Sequence, residues 1–136
     1  MNIHRITAGV QVRRDFAACY DFYTQQLGLL PVYGDRNGPY TNFAATEGGE
    51  PFFALYAAEH AASRVPKYAI PTNTASSDTL TAVFHTIDFA GTYARMQQAG
   101  VQFIGKRNFA DEGFDFNMAL FRDPEGNLLS LEDGGV

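Results

Sequence analysis

Three histidines, one cysteine and an acidic end to the last apolar run are the groups of this 136-residue chain best able to do chemistry. His4, His60 and His85 are scattered, and no two fall at His-x-His or His-x-x-x-His spacing. A metal site written into sequence needs such spacing, so the simplest role of each is a surface or hydrogen-bonded imidazole. His85, near the end of an expected strand, and Glu132, two residues beyond Ser130, are the weak candidates for a general acid or base. Cys19 sits one position from an apolar helix stripe, where a lone thiol is usually a small buried hydrophobe. No base or cation marks it as a nucleophile. There is no Gly-x-Ser-x-Gly elbow and no Gly-x-x-x-x-Gly-Lys phosphate loop.

Composition narrows the partners. The formal net charge is −5, and Lys and Arg never exceed two in a row. An acidic surface repels phosphate backbones, so nucleic-acid binding is not expected. Acidity mildly favours a cationic small ligand, though its commonest consequence is solubility. No run of about 18 apolar residues exists, and no membrane span is expected. The start, Met1-Asn2-Ile3-His4-Arg5, lacks the charged-then-apolar order of a signal peptide. One cysteine makes no internal disulfide and fits a reducing compartment, so a cytoplasmic location is expected. With 46% hydrophobic residues, the chain has material for a core, and its length fits one domain spanning residues 1–136.

The elements that must position these residues come in two similar sets. Asp15-Phe16-Ala17 with Tyr20 returns as Asp88-Phe89-Ala90 with Tyr93. Gln25-Gln26-Leu27-Gly28 returns, shifted by one, as Gln97-Gln98-Ala99-Gly100. Repetition at a fixed offset predicts one supersecondary unit built twice. In the first half, Ile6, Ala8, Val10 and Val12 alternate within a strand expected over Ile3–Val12. Asp15 caps a helix with the stripe Phe16, Tyr20, Tyr23 and Leu27, and Gly28 ends it. Strands are expected over Leu29–Tyr33, Tyr40–Ala45 and Pro51–Ala57. Residues 59–78 read as a crossover with a short helix near Ala58–Ala62, or as a functional lid. The second half repeats the order. A strand at Thr79–Thr86 precedes a helix capped by Asp88, with the stripe Phe89, Tyr93 and Met96, ending at Gly100. Strands follow at Val101–Lys106, Phe114–Arg122 and Asn127–Glu132. Each half, module 1 over about residues 1–58 and module 2 over about 79–136, is a β-α-β-β-β unit, α+β in class.

This order, together with Phe22-Tyr23 and Leu27-Gly28-Leu29 in the first half and Asp123-Pro124-Glu125-Gly126-Asn127 in the second, resembles the vicinal oxygen chelate superfamily. That group includes glyoxalase I, extradiol dioxygenases, fosfomycin-resistance enzymes and bleomycin-resistance proteins. The resemblance covers essentially the whole chain. It implies a partly open eight-stranded half-barrel around a cleft between the modules, and commonly a homodimer. It also implies up to four metal-ligand spots, one in the first and one in the last strand of each unit. Carried onto this sequence they fall on Thr7 or Ala8, Ala54, Leu80 or Thr81, and Ser130. Ala and Leu offer no side-chain donor, and neutral Ser and Thr hydroxyls seldom hold a divalent ion alone. No metal and no cofactor are expected.

What remains is an aromatic lining. If Ser130 faces the cleft, so does Glu132, and the repeat places Phe52, Ala54 and Tyr56 in the same way. Phe114, Phe116 and Met118 share one face of their expected strand, either lining the pocket or packing under a helix. Arg122 stands one residue from the turn, as a cationic contact or a rim residue. The expected function is metal-free binding of a partly aromatic or cationic small molecule by a homodimer. The alternative is a lyase, isomerase or dioxygenase using non-standard metal ligands, or His85 or Glu132 as a metal-free base. A module that binds a partner through a sheet edge is the weaker third reading.

Overall fold

A computed structural model of the chain describes residues 2–60 and 80–134. It divides into two compact units, Met1–Ala75 and Ser76–Val136. In the first, the order is β1 (Ala8–Val12), α1 (Phe16–Asp21), a π-helical turn (Phe22–Gln26), β2 (Leu30–Tyr33), β3 (Tyr40–Ala44) and β4 (Phe53–Ala57). The second holds β5 (Leu80–His85), α2 (Phe89–Gln98), β6 (Phe103–Asn108), a 3-10 turn (Ala110–Glu112), β7 (Asn117–Arg122) and β8 (Leu128–Glu132). Each unit carries one four-stranded mixed sheet, ordered β1-β4-β3-β2 and β5-β8-β7-β6, with only the first and last strands parallel. The class is α+β, built from two β-α-β-β-β units as the repeat predicts, and neither sheet closes into a barrel. Among the described residues, no helix is long and apolar enough to cross a membrane.

In the first unit Asp15 caps α1, its Oδ1 accepting from the Ala18 amide at 3.0 Å. Past Asp21 the helix widens, the Leu27 amide reaching back to the Phe22 carbonyl at 3.1 Å. A π turn holds one more residue than an α turn, so the apolar stripe swings off its expected line. Cys19, Phe22 and Tyr23 are buried, while Phe16, Tyr20 and Leu27 are only partly so. Tyr23 lies 4.8 Å from the Phe53 ring and 6.2 Å from Phe43, which fixes the helix on the Phe43–Phe53 face of the sheet. Gly28, at φ +76°, ends the segment as expected.

In the second unit Asp88 caps α2 through the Gly91 amide at 3.0 Å. Tyr93 stacks on Phe103 at 4.3 Å, and Phe103 meets Phe121 edge-on at 5.5 Å, so this helix covers the Phe103–Phe121 face. Lys106 completes the stack, its Nζ 4.7 Å from the Tyr93 ring centre. The Asp123–Asn127 turn is held by one carboxylate. Asp123 Oδ1 accepts the amides of Glu125 and Asn127 at 2.9 Å each, and Oδ2 accepts Asn127 Nδ2 at 3.0 Å. Gly126 supplies the left-handed conformation at φ +92°.

Most strand limits differ from expectation by one or two residues, as where β4 starts at Phe53 rather than Pro51 and β6 at Phe103 rather than Val101, and two starts differ by more. β1 starts at Ala8, not Ile3, because its parallel partner β4 begins opposite it at Phe53; Ile3 and Ile6 are 72% and 79% exposed. β7 starts at Asn117, not Phe114. The 3-10 turn and Gly113 at φ +84° precede it, and the Phe116 amide turns back to the Phe114 carbonyl at 3.0 Å. β6 runs to Asn108 rather than Lys106, paired with β7 to its end. Residues 58–60 are helical; the rest of the expected crossover and Thr79 lie outside the described residues.

Candidate functional site

Cross-strand register assigns every strand residue a face. In the first unit, Val10, Phe43, Phe53 and Leu55 lie under the helix. Gly9, Ala54, Asn42, Tyr56, Tyr40 and Tyr33 take the other side. Three of these are tyrosines in sequence contact: Tyr33 and Tyr40 ring centres are 6.1 Å apart, Tyr40 and Tyr56 5.0 Å. Gly9 makes room for the last of them, since a Cβ there would meet Tyr56 Cε2 at 2.5 Å. Burial first, and then the charge and hydrogen bond of Tyr40, push the Tyr56 phenol above its ordinary range. Asn42 is 91% buried; its Nδ2 donates to the Tyr40 hydroxyl at 3.2 Å. Its Oδ1 has no partner among the described residues.

Of the sequence-predicted residues in this unit, Ala54 and Tyr56 share the tyrosine face, and Phe52, one residue before β4, joins them by alternation. Ala54 is fully buried and Tyr56 is 37% exposed. Sequence reasoning missed Tyr33, Tyr40, Asn42 and Gly9. The alternation Tyr40-x-Asn42 was a usable signal, since its skipped partners Thr41 and Phe43 are the helix-facing set.

In the second unit, the face away from the helix carries Val83, His85, Met118, Leu120, Arg122, Leu128, Ser130 and Glu132. His85 and Glu132 are register partners, and Met118 is the partner of Glu132 on its other side. Ser130, fully buried, donates its hydroxyl to Glu132 Oε2 at 2.8 Å. Arg122 donates to the Gly126 carbonyl at 2.7 Å, which ties it to the turn. Met118, Arg122 and Ser130 are thus together on one face, beside His85 and Glu132. Phe114 and Phe116 precede β7 and are not on a strand with Met118. Phe116 stacks on Phe109 at 4.6 Å, and Phe114 is 60% exposed.

The four positions carried over by resemblance do not fit a divalent ion. Alternation puts Ala8 under the helix with Val10, leaving Thr7 for the Ala54 side. Leu80 pairs with Leu128, and Ser130 already gives its proton to Glu132. Ala54 and Leu80 have no donor atom to offer. Among the described residues, no three His, Cys, Asp or Glu side chains gather as a cation site.

A family model described as Glyoxalase/Bleomycin resistance protein/Dioxygenase superfamily matches residues 2–131. No curated protein matches the chain significantly. Among solved structures, the chain is similar to a lactoylglutathione lyase from Agrobacterium tumefaciens, at 19% identity and TM-score 0.69, over 96% of this chain and 93% of that one. It is similar to TnmS3, an antibiotic binding protein from Streptomyces sp. CB03234, at 22% identity and TM-score 0.66, over 99% of both chains. A protein of unknown function from Agrobacterium tumefaciens str. C58 superposes at TM-score 0.75 with 14% identity, over 99% of this chain and 97% of that one. At these identities the likeness is one of fold.

Proposed function

The chain belongs to the glyoxalase/bleomycin resistance protein/dioxygenase superfamily, and from that membership we propose that it is a metal-free receptor for a partly aromatic small molecule. The observation that carries this reading is the pair Ala54 and Ser130. The first has no donor and the second spends its proton on Glu132. The tyrosine face of the first sheet is the platform. An aromatic side chain offers roughly 150–250 Å² of surface. At about 25 cal/mol per Å², one ligand ring against such walls gains a few kcal/mol with no ion. The antibiotic-binding neighbour supports this class of function by likeness of fold alone. We place the protein in the cytosol as a homodimer, with one buried cysteine and no disulfide partner for it in the sequence.

Two measurements test the reading. Elemental analysis of protein purified without chelator gives less than about 0.1 equivalent of transition metal, and light scattering gives twice the chain mass. Stoichiometric Zn, Fe, Mn or Ni overturns the metal-free reading.

One observation favours a second reading. His85 and Glu132 are neighbours across β5 and β8, and Ser130 orients Glu132 through its hydroxyl. An imidazole and an oriented carboxylate side by side can act as acid and base without a metal. Under this reading, His85→Ala abolishes turnover of a bound compound and leaves its affinity intact. A ligand recovered chemically unchanged after prolonged incubation decides against it.

A further inference from the structure

The least satisfied group among the described residues is Asn42 Oδ1. An unpaired buried amide oxygen keeps its full desolvation cost, and such an atom in a native fold calls for a partner. Its surroundings supply half of a recognition site. The Tyr40 hydroxyl oxygen receives the Asn42 Nδ2 proton at 3.2 Å and shares a hydrogen bond with the Tyr56 hydroxyl, in which either oxygen can be the donor. Two hydroxyls joined by one bond leave one proton over, with no acceptor among the described residues. One acceptor, Asn42 Oδ1, and one donor, from the Tyr40–Tyr56 hydroxyl pair, are therefore left over in one cluster with the rings of Tyr33, Tyr40 and Tyr56. Tyr56 is 37% and Tyr33 67% exposed, so the aromatic surround opens to solvent while the amide does not.

We infer that Asn42 Oδ1 and the Tyr40–Tyr56 hydroxyl pair form the polar end of a subsite for a phenol-type aromatic hydroxyl, its ring lying against this tyrosine cluster. A hydroxyl oxygen meets both demands with one atom, and the surrounding rings favour one carried on an aromatic ring. It donates its proton to Oδ1 and accepts the proton left over by the tyrosine pair. An aryl ether can still accept but cannot donate, and would leave Oδ1 unpaired and buried beneath it. Sites that hydrogen-bond a ligand hydroxyl reject analogues lacking it more strongly than an apolar wall does. The inference rests on the binding reading above and narrows it to a ligand class.

The test uses 2-naphthol and 2-methoxynaphthalene as probes, titrated into the full chain and into Asn42→Leu. The intact chain is expected to hold 2-naphthol about tenfold more tightly than the ether, the worth of one hydrogen bond and an avoided unpaired acceptor. Asn42→Leu brings naphthol down to the ether's affinity and leaves the ether within about twofold. Its melting temperature stays level or rises, because a buried unpaired polar atom has been exchanged for an apolar side chain of similar size. Equal affinity for both probes on the intact chain overturns the inference and leaves the aromatic receptor standing. Tighter binding of the ether overturns it too, since the open amide atom is then the nitrogen. A variant that melts lower and loses both probes alike shows a structural Asn42, and overturns it. If neither probe binds the intact chain, the inference and the aromatic-receptor reading fall together.

Discussion

Gly9 is the residue on which the tyrosine platform turns. Glycine inside a strand is disfavoured by roughly 0.5–1 kcal/mol relative to alanine. Here its missing Cβ leaves the space that Tyr56 occupies, with Cε2 2.5 Å and Cδ2 3.2 Å from where that carbon would be. The obstacle is the end of a rotatable side chain, so Gly9→Ala moves the ring rather than the strand. We expect stability unchanged or raised by up to about 0.5 kcal/mol, and affinity for an aromatic ligand lowered several-fold. A thermal melt and a titration on one sample read both, and unchanged affinity would remove Tyr56 from the site. Asp133 shows the same accounting in charge. Its carboxylate accepts the Asn117 backbone amide at 2.6 Å and the Asn117 side-chain amide at 3.0 Å, which hold its pKa below the usual carboxylate range. The unfolded group titrates near 3.9, and the folded one lower. Its contribution is therefore complete above about pH 4 and is lost as pH falls toward the folded value. Asp133→Asn should cost about 0.5–1 kcal/mol at pH 7, discounted for solvent screening. The cost should shrink in urea melts at pH 3.

At the scale of elements, the two helix caps make the duplication physical. Asp15 and Asp88 each accept an amide three residues on, at 3.0 Å. Replacing either by Ala should cost about 1 kcal/mol. The second cap carries a sharper prediction. A Cβ on Gly91 would collide with the Asp88 carboxylate. Gly91→Ala gains about 1 kcal/mol of helix propensity but displaces the capping oxygen, so the single variant should sit near zero. In the Asp88→Ala background the same change should recover the full gain. A four-member denaturation cycle measures that coupling, and simple additivity would contradict the collision. These caps, the helix-ending glycines and the Asp123 turn were legible in the sequence because each is a local device with its own residue type. The stripe was read on a regular α-helical line because a π turn has no residue signature; Tyr23 is buried as expected, with Cys19 and Phe22 beside it. Strand starts were overextended at Ile3 and Phe114, where alternation continues but the partner strand does not. The site suffered most. Ser130 was placed by the resemblance, three residues past the Asp123–Asn127 turn, and Ala54 as its partner in the repeat. The alternation Tyr40-x-Asn42 is visible in sequence, but that it shares a face with Ala54 and Tyr56 comes only from the register.

At the scale of the whole chain, two units of the same order present chemically different faces. The second carries His85, Arg122 and Glu132. Among the described strand residues, those on the tyrosine side of the first, with Gly9, Tyr33, Tyr40, Asn42, Ala54 and Tyr56, include no group ionised at neutral pH. The net charge of −5 therefore acts on a ligand there only at a distance. From about 0.01 M to about 1 M salt the screening length falls from about 30 Å to about 3 Å. Binding of 2-naphthol, which is neutral, should change by less than about twofold across that range, since aromatic contact and short hydrogen bonds are barely screened. A naphthalene bearing a quaternary ammonium group should gain from both the acidic surface and the tyrosine rings. Raising salt should strip the first gain and leave the second, so its affinity falls several-fold and then levels. Parallel titrations at four salt concentrations separate the two contributions. A steep salt slope for the neutral probe would locate binding on the charged face of the second unit, and the tyrosine platform would then have to be given up.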